Sequence, residues 1–414
     1  MKQKFMITGL FVCLLFAGTL VRAQREDLRR KELIAPAQRI TELQNLRAET
    51  KARGIDISLS YTKAFELGLR NIIGGNKPQI SNEQAAKLTR DAKTTLQKYR
   101  LSIEKASVVN PAILEIWNKY KLAIVCNAAS KSYDARLQNY MTVAKSQGGC
   151  GSCWAFAAVS ILESGYLRVN HKTIDASEQE LLNCAMGYGR DMNCSQGGWV
   201  DKAVAYITDN GVMGEADVPY HAVDQACTIF PSKTYDAVSW GFVSETSPGS
   251  PSNAEIKQAI CEHGPVASWM WVYSGAFSAY DGQGKVYSEV FPANKPDSLK
   301  GGHFVTICGW DDTKGAWLIK NSWGTDWGEN GFCWLKYGSN GIGSWPVWIE
   351  PALESLKPWR LYLMEMMKLP VTEINAKPIE QLLKPDDLKN LKMEKPLIIS
   401  QPVRMINSAN KIQQ

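Results

Sequence analysis

A cysteine suited to nucleophilic chemistry, Cys153, follows a glycine-rich loop in the middle of the chain. The loop reads Gln-Gly-Gly-Cys-Gly-Ser over residues 147–152, and the residues after it predict a helix that begins at Cys153. The positive end of a helix dipole lowers the pKa of a thiol and favours the thiolate, which is the nucleophile. Loop N–H groups and the side chain of Gln147 could hold an oxyanion. The alternative is a structural disulfide cysteine, which describes its neighbour Cys150 well.

A base for this thiol is predicted at His303, one of four histidines in the chain. It follows Gly301 and Gly302 and precedes an apolar run, so it would stand at the start of a strand beside a cleft. A histidine there can accept the thiol proton and later donate it to a leaving amine. Asn321, in the sequence Asn-Ser-Trp-Gly, can orient the ring, and Trp323 can shield that hydrogen bond from water. Taken singly, a lone histidine is more often structural, and this tetrapeptide would be an ordinary turn.

The elements that must position these residues change type along the chain. Helices are predicted over residues 153–169, 177–184 and 198–209. Short apolar runs bounded by Gly and Asp predict strands over residues 304–308, 316–320 and 332–337. Helices first and strands second within one block are typical of an α+β fold. We therefore expect a helical half that carries Cys153 and a strand-rich half that carries His303 and Asn321.

The region before residue 126 is mostly helical in pattern and lacks cysteine after residue 13. Ser81 and Gln84 form a capping-box sequence before an amphipathic helix. An earlier helix is predicted from Arg25 to Ala52. Breaks are predicted at Gly74-Gly75 and at Asn110-Pro111.

The chain carries a net charge of +6, but the sign differs between regions. Residues 24–125 carry nineteen Lys and Arg against eleven Asp and Glu, and residues 126–350 carry fifteen against twenty-three. Because the basic excess lies mainly in one block next to an acidic one, the pattern favours docking of the two regions on each other. It argues against a nucleic-acid-binding patch.

The first 23 residues predict an export signal. Lys2 and Lys4 precede an apolar run from Phe5 to Leu20, and Val21-Arg22-Ala23 offers a small-residue cleavage site. The run is short for a membrane-spanning helix, and no later stretch of the sequence is apolar enough to span a bilayer. Export also permits disulfides among the remaining nine cysteines.

Together the three motifs resemble those of the papain-like cysteine peptidases, over about half of the chain from Lys131 to Pro351. The Cys-Gly-Ser-Cys-Trp loop of that family stands intact at residues 150–154. The resemblance implies that Cys153 is the nucleophile, that His303 is base and acid, and that Asn321 orients it. Gln147 and the Cys153 N–H would form the oxyanion hole. It also implies a two-part α+β fold, with a helical half and a β-barrel-like half.

The resemblance further implies where a substrate would bind. Gly197 and Gly198 would pair with the substrate backbone. The remaining substrate-binding positions implied are Trp199, Val200, Trp269, Phe304 and Trp323. Most of these line the pocket for the second residue before the cut, and two tryptophans in that pocket predict a preference for small or medium aliphatic side chains.

Two disulfides carry over by the same resemblance, Cys150–Cys194 and Cys184–Cys227. The pairing of Cys126 and Cys261 stays open. Cys308 and Cys333 lie on predicted strands and are expected to be buried free thiols.

These features predict a secreted cysteine endopeptidase made as a zymogen, which acts through a thioester acyl-enzyme. The predicted parts are an export signal (1–23), a basic helical prosegment (24–128), a peptidase domain (129–350) and a C-terminal extension (351–414). The prosegment would inhibit the enzyme in cis until a cut near residues 115–132 removes it.

The expected partners are protein or peptide substrates and the chain's own prosegment. The expected state is a monomer in an extracellular, periplasmic or lysosome-like compartment, and no metal, cofactor or nucleic acid is implied. Two alternatives stay open. One is an acyl-transfer enzyme with the same Cys-His pair, and the other is a catalytically silent binding or adhesion module.

Overall fold

The computed structural model of the protein describes residues 23–123, 126–188, 192–228, 234–289, 301–354 and 356. The predicted export signal, apart from its last residue, and the predicted extension beyond residue 356 lie outside them. None of the helices within the described ranges is both long enough and apolar enough to cross a membrane.

The first helical region consists of two helices where the sequence predicts one. Helix α1 covers residues 23–34 and helix α2 covers Ala37–Ala52, so the prediction of one helix from Arg25 to Ala52 is wrong at Pro36. Pro36 has extended backbone angles, with ψ at 137°, and a proline has no N–H to continue the ladder of the preceding helix. The short helices α3 (Lys63–Leu67) and α4 (Leu69–Ile72) follow.

A long helical hairpin comes next. Helix α5 spans Asn82–Val109, and its predicted capping box is confirmed, because Ser81 and Gln84 each accept a backbone hydrogen bond from the other. Helix α6 spans Pro111–Ala123 after the predicted break at Asn110. The two helices run antiparallel, since Arg100 near the middle of α5 donates to the hydroxyl of Tyr120 on α6 at 2.8 Å.

Three helices form the predicted helical half. They are α7 (Cys153–Asn170), α8 (Glu178–Cys184) and α9 (Val200–Asn210). Helix α7 is buried along nearly its whole length, including Phe156, Ile161 and Leu162. It is therefore the central helix of this half, and its first residue is Cys153.

The strands of the described residues form one mainly antiparallel sheet in the order β2-β8-β3-β5-β6-β7-β4, with β1 paired to β5. Their bounds are β1 Ser132–Asp134, β2 Ala237–Phe242, β3 Val266–Val272, β4 Val286–Tyr287, β5 Gly301–Asp311, β6 Ala316–Lys320, β7 Phe332–Lys336 and β8 Ser344–Pro351. The predicted strand-rich half is thus confirmed. His303 lies near the start of β5, in the middle of the sheet.

Two helices in this half were not predicted, α10 (Asn253–His263) and α11 (Gly275–Ala279). A signal for α10 was present in the sequence, because Ser252 and Glu255 form a capping box.

A buried carboxylate, that of Glu350 on β8, joins the hairpin to the sheet. Its oxygens accept a hydrogen bond from Tyr120 at 2.5 Å and face His263 at 3.3 Å, with Arg100 and Arg168 each at 3.6 Å. Burial alone would raise the pKa of this carboxyl, but the hydrogen bond with His263 and the two guanidinium charges outweigh it and lower the pKa to about 2. Glu350 is therefore a charged group that only the assembled fold can accommodate.

We expect Glu350→Gln to lower the free energy of unfolding by about 3 kcal/mol, because it removes the anion from a buried cluster of cations. The group's folded pKa lies below its unfolded value, so its contribution is present above about pH 4.5 and fades as pH falls towards 2. Urea unfolding at pH 7 and pH 3 measures both effects. Glu354→Gln is the matched control: it breaks a half-exposed pair with Lys172 and should cost less than about 1 kcal/mol. Equal losses in the two variants would contradict this account of Glu350.

Candidate active site

Cys153 is the first residue of α7 and its thiol is fully buried and unpaired. Phe304, next to His303 on β5, is buried in the same cluster as Cys153, and Gly74, from the region before the predicted peptidase domain, lies against the backbone of Gly151 in the loop before the thiol. The helical half and the sheet therefore meet at this sulfur, and a third part of the chain covers it.

The side chains of His303 and Asn321 are hydrogen-bonded, with Nε2 of the ring 2.7 Å from Oδ1 of the amide. The same Oδ1 accepts the backbone N–H of Ser322 at 2.8 Å, which fixes the orientation of the amide because an N–H can only donate. Oδ1 can accept but not donate, so Nε2 of His303 must carry the hydrogen. Nδ1 is then the bare nitrogen, and it is buried without a hydrogen-bond partner. The arrangement leaves Nδ1 free to take up a proton.

Ser322 and Trp323, which follow Asn321, complete this side of the site. The ring of Trp323 lies 4.7 Å from the ring of His303, centroid to centroid, and is 3% exposed. It therefore excludes water from the bond between His303 and Asn321. The hydroxyl of Ser322 donates to Oε1 of Gln147 at 2.6 Å, which fixes Nε2 as the donor end of the amide, and one of its hydrogens goes to the carbonyl of Cys150 at 2.7 Å. Sequence reasoning missed Ser322, although it lies inside the Asn-Ser-Trp-Gly motif.

Residues 72–77 occupy the cleft between the two halves. Nε2 of Gln147 donates to the carbonyl of Ile72 at 3.1 Å, and the indole of Trp323 donates to the same oxygen at 3.3 Å. A peptide carbonyl is therefore hydrogen-bonded to the side chain that the sequence predicts as an oxyanion donor. The rest of the segment, called the cleft segment below, continues along Gly198 and Gly302.

The cleft segment pairs through its backbone with both walls. Gly198 donates to the carbonyl of Gly74 at 2.8 Å and accepts from Asn76 at 2.9 Å, in a parallel bridge. On the other wall the N–H groups of Gly74 and Gly75 both point to the carbonyl of Gly302, at 3.1 and 2.9 Å. The segment is held as an added strand would be.

Glycine is required where these backbones meet. A Cβ on Gly74 would lie 2.1 Å from the carbonyl oxygen of Gly151, and a Cβ on Gly197 would lie 1.9 Å from the carbonyl oxygen of Gly74. A Cβ on Gly198 would lie 2.6 Å from the ring of Trp154. The predicted role of Gly197 and Gly198 in backbone pairing thus agrees with the space available, which admits a main chain and no side chain.

The remaining predicted substrate-binding residues lie beside the cleft segment or behind it. The indole of Trp269 donates to the carbonyl of Gly75 and that of Trp199 to the carbonyl of Lys77, both at 2.9 Å. Phe304 and Val200 are buried in the same apolar cluster as Trp269. Two of the four side chains therefore touch the segment directly.

The cleft segment changes the charge state that the sequence led us to expect. Burial raises the pKa of the Cys153 thiol to about 12, although backbone hydrogen bonds from Phe304 and Gly74 oppose it. Burial also lowers the pKa of His303 to about 4, against the effect of the bond with Asn321. At neutral pH both groups are neutral in this covered state. The expected thiolate therefore depends on uncovering the site and not on the helix terminus alone.

A cluster of buried charges lies under the loop that carries Gln147. Lys145 contacts Glu163 at 2.9 Å and Glu178 at 3.0 Å, and both carboxylates are almost fully buried. Thr142 donates to Glu163 and accepts from Lys320, the residue before Asn321. These bonds fix the loop relative to the end of β6, the strand that precedes Asn321.

Three disulfides are present among the described cysteines. Cys150 is bonded to Cys194 and Cys184 to Cys227. The third, between Cys126 and Cys261, was left open by the sequence. Besides Cys153, the cysteines without a disulfide among the described residues are Cys308 and Cys333, and both are buried.

Comparison with known proteins gives a consistent result. The model of the papain family of cysteine proteases matches residues 129–347. Digestive cysteine proteinase 1 of Homarus americanus is 35% identical over 206 residues, which are 49% of this chain and 61% of that protein. Cathepsin L1 of Drosophila melanogaster is 37% identical over 204 residues, 49% of this chain and 52% of that protein. The chain thus spans between half and two thirds of the length of these relatives.

A solved structure of digestive procathepsin L 3 from the larval midgut of Tenebrio molitor superposes with a TM-score of 0.54. It is 21% identical to this chain, and the match covers 81% of this chain and 99% of that one. At this identity the likeness concerns the fold, and it confirms the predicted two-part α+β class with a helical region in front.

The covered thiol generates a prediction about reactivity. In the intact precursor at pH 7, Cys153 should be alkylated by iodoacetamide at least about tenfold more slowly than after the cleft segment is removed, because only the thiolate reacts. Mass spectrometry of the peptide that contains Cys153 gives the rate. Cys308, buried on β5, is the internal control and should stay unmodified in both states. Rapid alkylation of Cys153 in the intact precursor would show that the segment does not suppress the thiolate.

Proposed function

Because the chain belongs to the papain family of cysteine proteases, we propose that it is a cysteine endopeptidase made as a zymogen, with Cys153 as its nucleophile. The observation that carries this proposal is the tautomer of His303. Asn321 holds the hydrogen on Nε2, and the bare Nδ1 belongs to the residue before Phe304, which is buried in one cluster with Cys153. A thiol and a buried base are thus held on the two walls of one cleft.

The proposed reaction uses these groups in order. Nδ1 of His303 takes the proton of Cys153, and the sulfur attacks the substrate carbonyl. Nε2 of Gln147 and the backbone N–H of Cys153 stabilise the oxyanion. The amine leaves with the proton from His303, and water then attacks the thioester with His303 again as the base. The carbonyl of Ile72 on Nε2 of Gln147 supports this role, because it shows that a peptide oxygen fits there.

We propose that Trp269, Phe304, Val200 and Trp199 form the pocket for the second residue before the cut, with Gly197 and Gly198 pairing the substrate backbone. The bonds that Gly198 and Trp269 make to the cleft segment support this assignment. The bulk of two indoles favours small or medium aliphatic side chains over longer ones.

A library of internally quenched peptides tests activity and preference together. The activated enzyme should cleave within the peptides and favour Val, Ile or Leu at the second position before the cut. Cys153→Ala should abolish cleavage, since no other described thiol lies in the cleft. A preference for Arg or Phe at that position would overturn the pocket assignment, and unchanged cleavage by the Cys153→Ala variant would overturn the nucleophile.

We propose that the region before the peptidase domain, predicted as residues 24–128, contains the inhibitor and that the cleft segment is its blocking part. It fills the oxyanion site and pairs with both walls. Its backbone runs parallel to that of Gly198, so a substrate that pairs with Gly198 in the antiparallel sense, as we propose, would run in the opposite direction. Thus its peptide bonds are presented to Cys153 in the wrong sense for cleavage.

Gly74→Ala tests this inhibition. The added Cβ would meet the backbone of Gly151 at 2.1 Å, which cannot yield as a side chain can, so the segment should bind less well. The uncut precursor should then hydrolyse a small peptide about tenfold faster, which corresponds to about 1.4 kcal/mol of lost docking. Gly54→Asn is the control. A Cβ added at Gly54 would have no neighbour within 4 Å, and Asn tolerates the positive φ of this position. Equal activity of the two precursors would contradict a blocking role for this segment.

We also propose export of the protein to an extracellular, periplasmic or lysosome-like compartment. The predicted signal supports export. The three disulfides support an oxidising environment, because cytosolic thiols are normally kept reduced.

A further inference from the structure

The hairpin of α5 and α6 lies between the cleft segment and the peptidase domain, and it packs into the core of that domain. Its apolar face belongs to the same buried cluster as residues of α10, β3 and β5. The hairpin residues in the cluster are Leu96, Tyr99, Ile103, Ile113, Trp117 and Tyr120, each at most 8% exposed. Their loss would open the main core of the sheet half to water.

Helix α5 also covers an edge of the sheet. Strand β2 is the last strand on one side, and its outer backbone would be unpaired there. The hydroxyl of Thr89 accepts the buried N–H of Phe242 at 3.0 Å, and the hydroxyl of Ser239 donates to the carbonyl of Ala92 at 2.8 Å. Residues of α5 thus take the place of a neighbouring strand.

The polar contacts of the hairpin are also buried within the fold. Tyr120 donates to the fully buried Glu350, and Arg100 lies 3.6 Å from the same carboxylate. The hydroxyl of Tyr99 donates to the carbonyl of Leu356 and accepts from the N–H of Leu353. Removing the hairpin would leave buried groups of the peptidase domain without partners, at a cost of about 1–3 kcal/mol for each.

A disulfide bond ties the chain to the peptidase domain just after the hairpin. Cys126, three residues after α6, is bonded to Cys261 on α10. A cut after Cys126 would therefore leave the hairpin attached to the domain. Residues 24–125 contain no other cysteine, so nothing before the hairpin is tethered in this way.

The part of the chain before the cleft segment docks differently. Its contacts lie on two loops: Ser58 and Ser60 donate to Asp281 beside an antiparallel bridge between Leu59 and Tyr280, and Lys31 pairs with Asp326. Its own apolar cluster contains Ala276 and Ala279 of the peptidase domain, and among the described residues before the cleft segment Ala64 is the one buried side chain that belongs to the main core, against six from the hairpin. Such a surface resembles a separable interface more than a shared core.

Accepting the proposed zymogen, we infer that activation hydrolyses a peptide bond between residues 77 and 81 and that the α5–α6 hairpin is a permanent part of the mature enzyme. These residues have no helix or strand, and Lys77, Gln79 and Ser81 are exposed. Hydrolysis there separates the blocking segment from the hairpin. The released part is residues 24–77 or slightly more, and the boundary predicted near residue 128 is not the activating one.

Intact-mass analysis of the naturally matured protein after reduction tests the position of the cut. The expected N-terminus of the mature chain lies between residues 78 and 81, on a polypeptide that continues through Cys126 into the peptidase domain. A mature N-terminus near residue 128, with no hairpin peptide retained, would overturn the inference.

Two engineered precursors test sufficiency. One carries the recognition sequence of a site-specific protease after Gln79, and the matched one carries it after the exposed Ala129. After cutting and size-exclusion chromatography, the first should lose its N-terminal fragment and cleave peptides at least about tenfold faster than the uncut chain, since a detached inhibitor loses its high effective concentration. The second should stay inhibited and run as one band until a reductant divides it into two.

Both outcomes also separate the inference from the proposed function. If the first precursor loses its fragment but no cut produces activity, the proposed peptidase function fails while the retained hairpin stands. If only the cut after Ala129 produces activity, the inference fails and the peptidase function stands.

A substitution in the hairpin gives a readout independent of processing. Tyr120→Phe removes the hydroxyl that bonds Glu350 and should lower the melting temperature of the mature enzyme as much as that of the precursor. Tyr61→Phe is the control in the separable part, and it should leave the melting temperature of the mature enzyme unchanged. A Tyr120→Phe mature enzyme that melts like the wild type would show that the hairpin has left.

Discussion

Two hydrogen bonds to one oxygen, Oδ1 of Asn321, set the chemistry of the site. The backbone N–H of Ser322 fixes the amide, and the amide then fixes the hydrogen of His303 on Nε2. The proposed proton transfer from Cys153 depends on this tautomer, because Nδ1 is then the ring nitrogen that can accept a proton. The buried charges around Lys145 and the cover provided by Trp323 hold this pair in place and keep water from competing for its bond.

The same burial that orders His303 and Asn321 also disfavours the charged forms of His303 and Cys153. With the cleft segment in place, burial removes the hydration that would stabilise a thiolate or an imidazolium, so both groups stay neutral. The proposed inhibition would therefore have two physical parts: a backbone that fills the proposed oxyanion site and an environment that disfavours the thiolate. Both depend on the absence of side chains at Gly74 and Gly197, where main chains meet too closely for a Cβ.

The boundary that we propose between prosegment and enzyme is set by packing and not by position along the chain. Residues before the cleft segment meet the peptidase domain through loops, a small apolar cluster and a few ion pairs. Helices α5 and α6 instead share its main core, cover its edge strand and bond its buried carboxylate. The basic excess of residues 24–125 acts in both parts. Lys31 docks the first part on Asp326, and Arg100 compensates Glu350 inside the fold.

The sequence by itself determined which residues could do the chemistry and which local elements they begin. Cysteine at a helix start, histidine at a strand start and a capping serine are properties of neighbouring residues, so the local pattern is enough to place Cys153, His303 and Ser81 correctly. The tertiary structure alone decided what covers the thiol and where Cys126 finds its partner, 135 residues away. It also decided that α5 and α6 belong to the core. Those outcomes depend on the path of the whole chain, because contacts between distant segments leave no local pattern in the residues that make them.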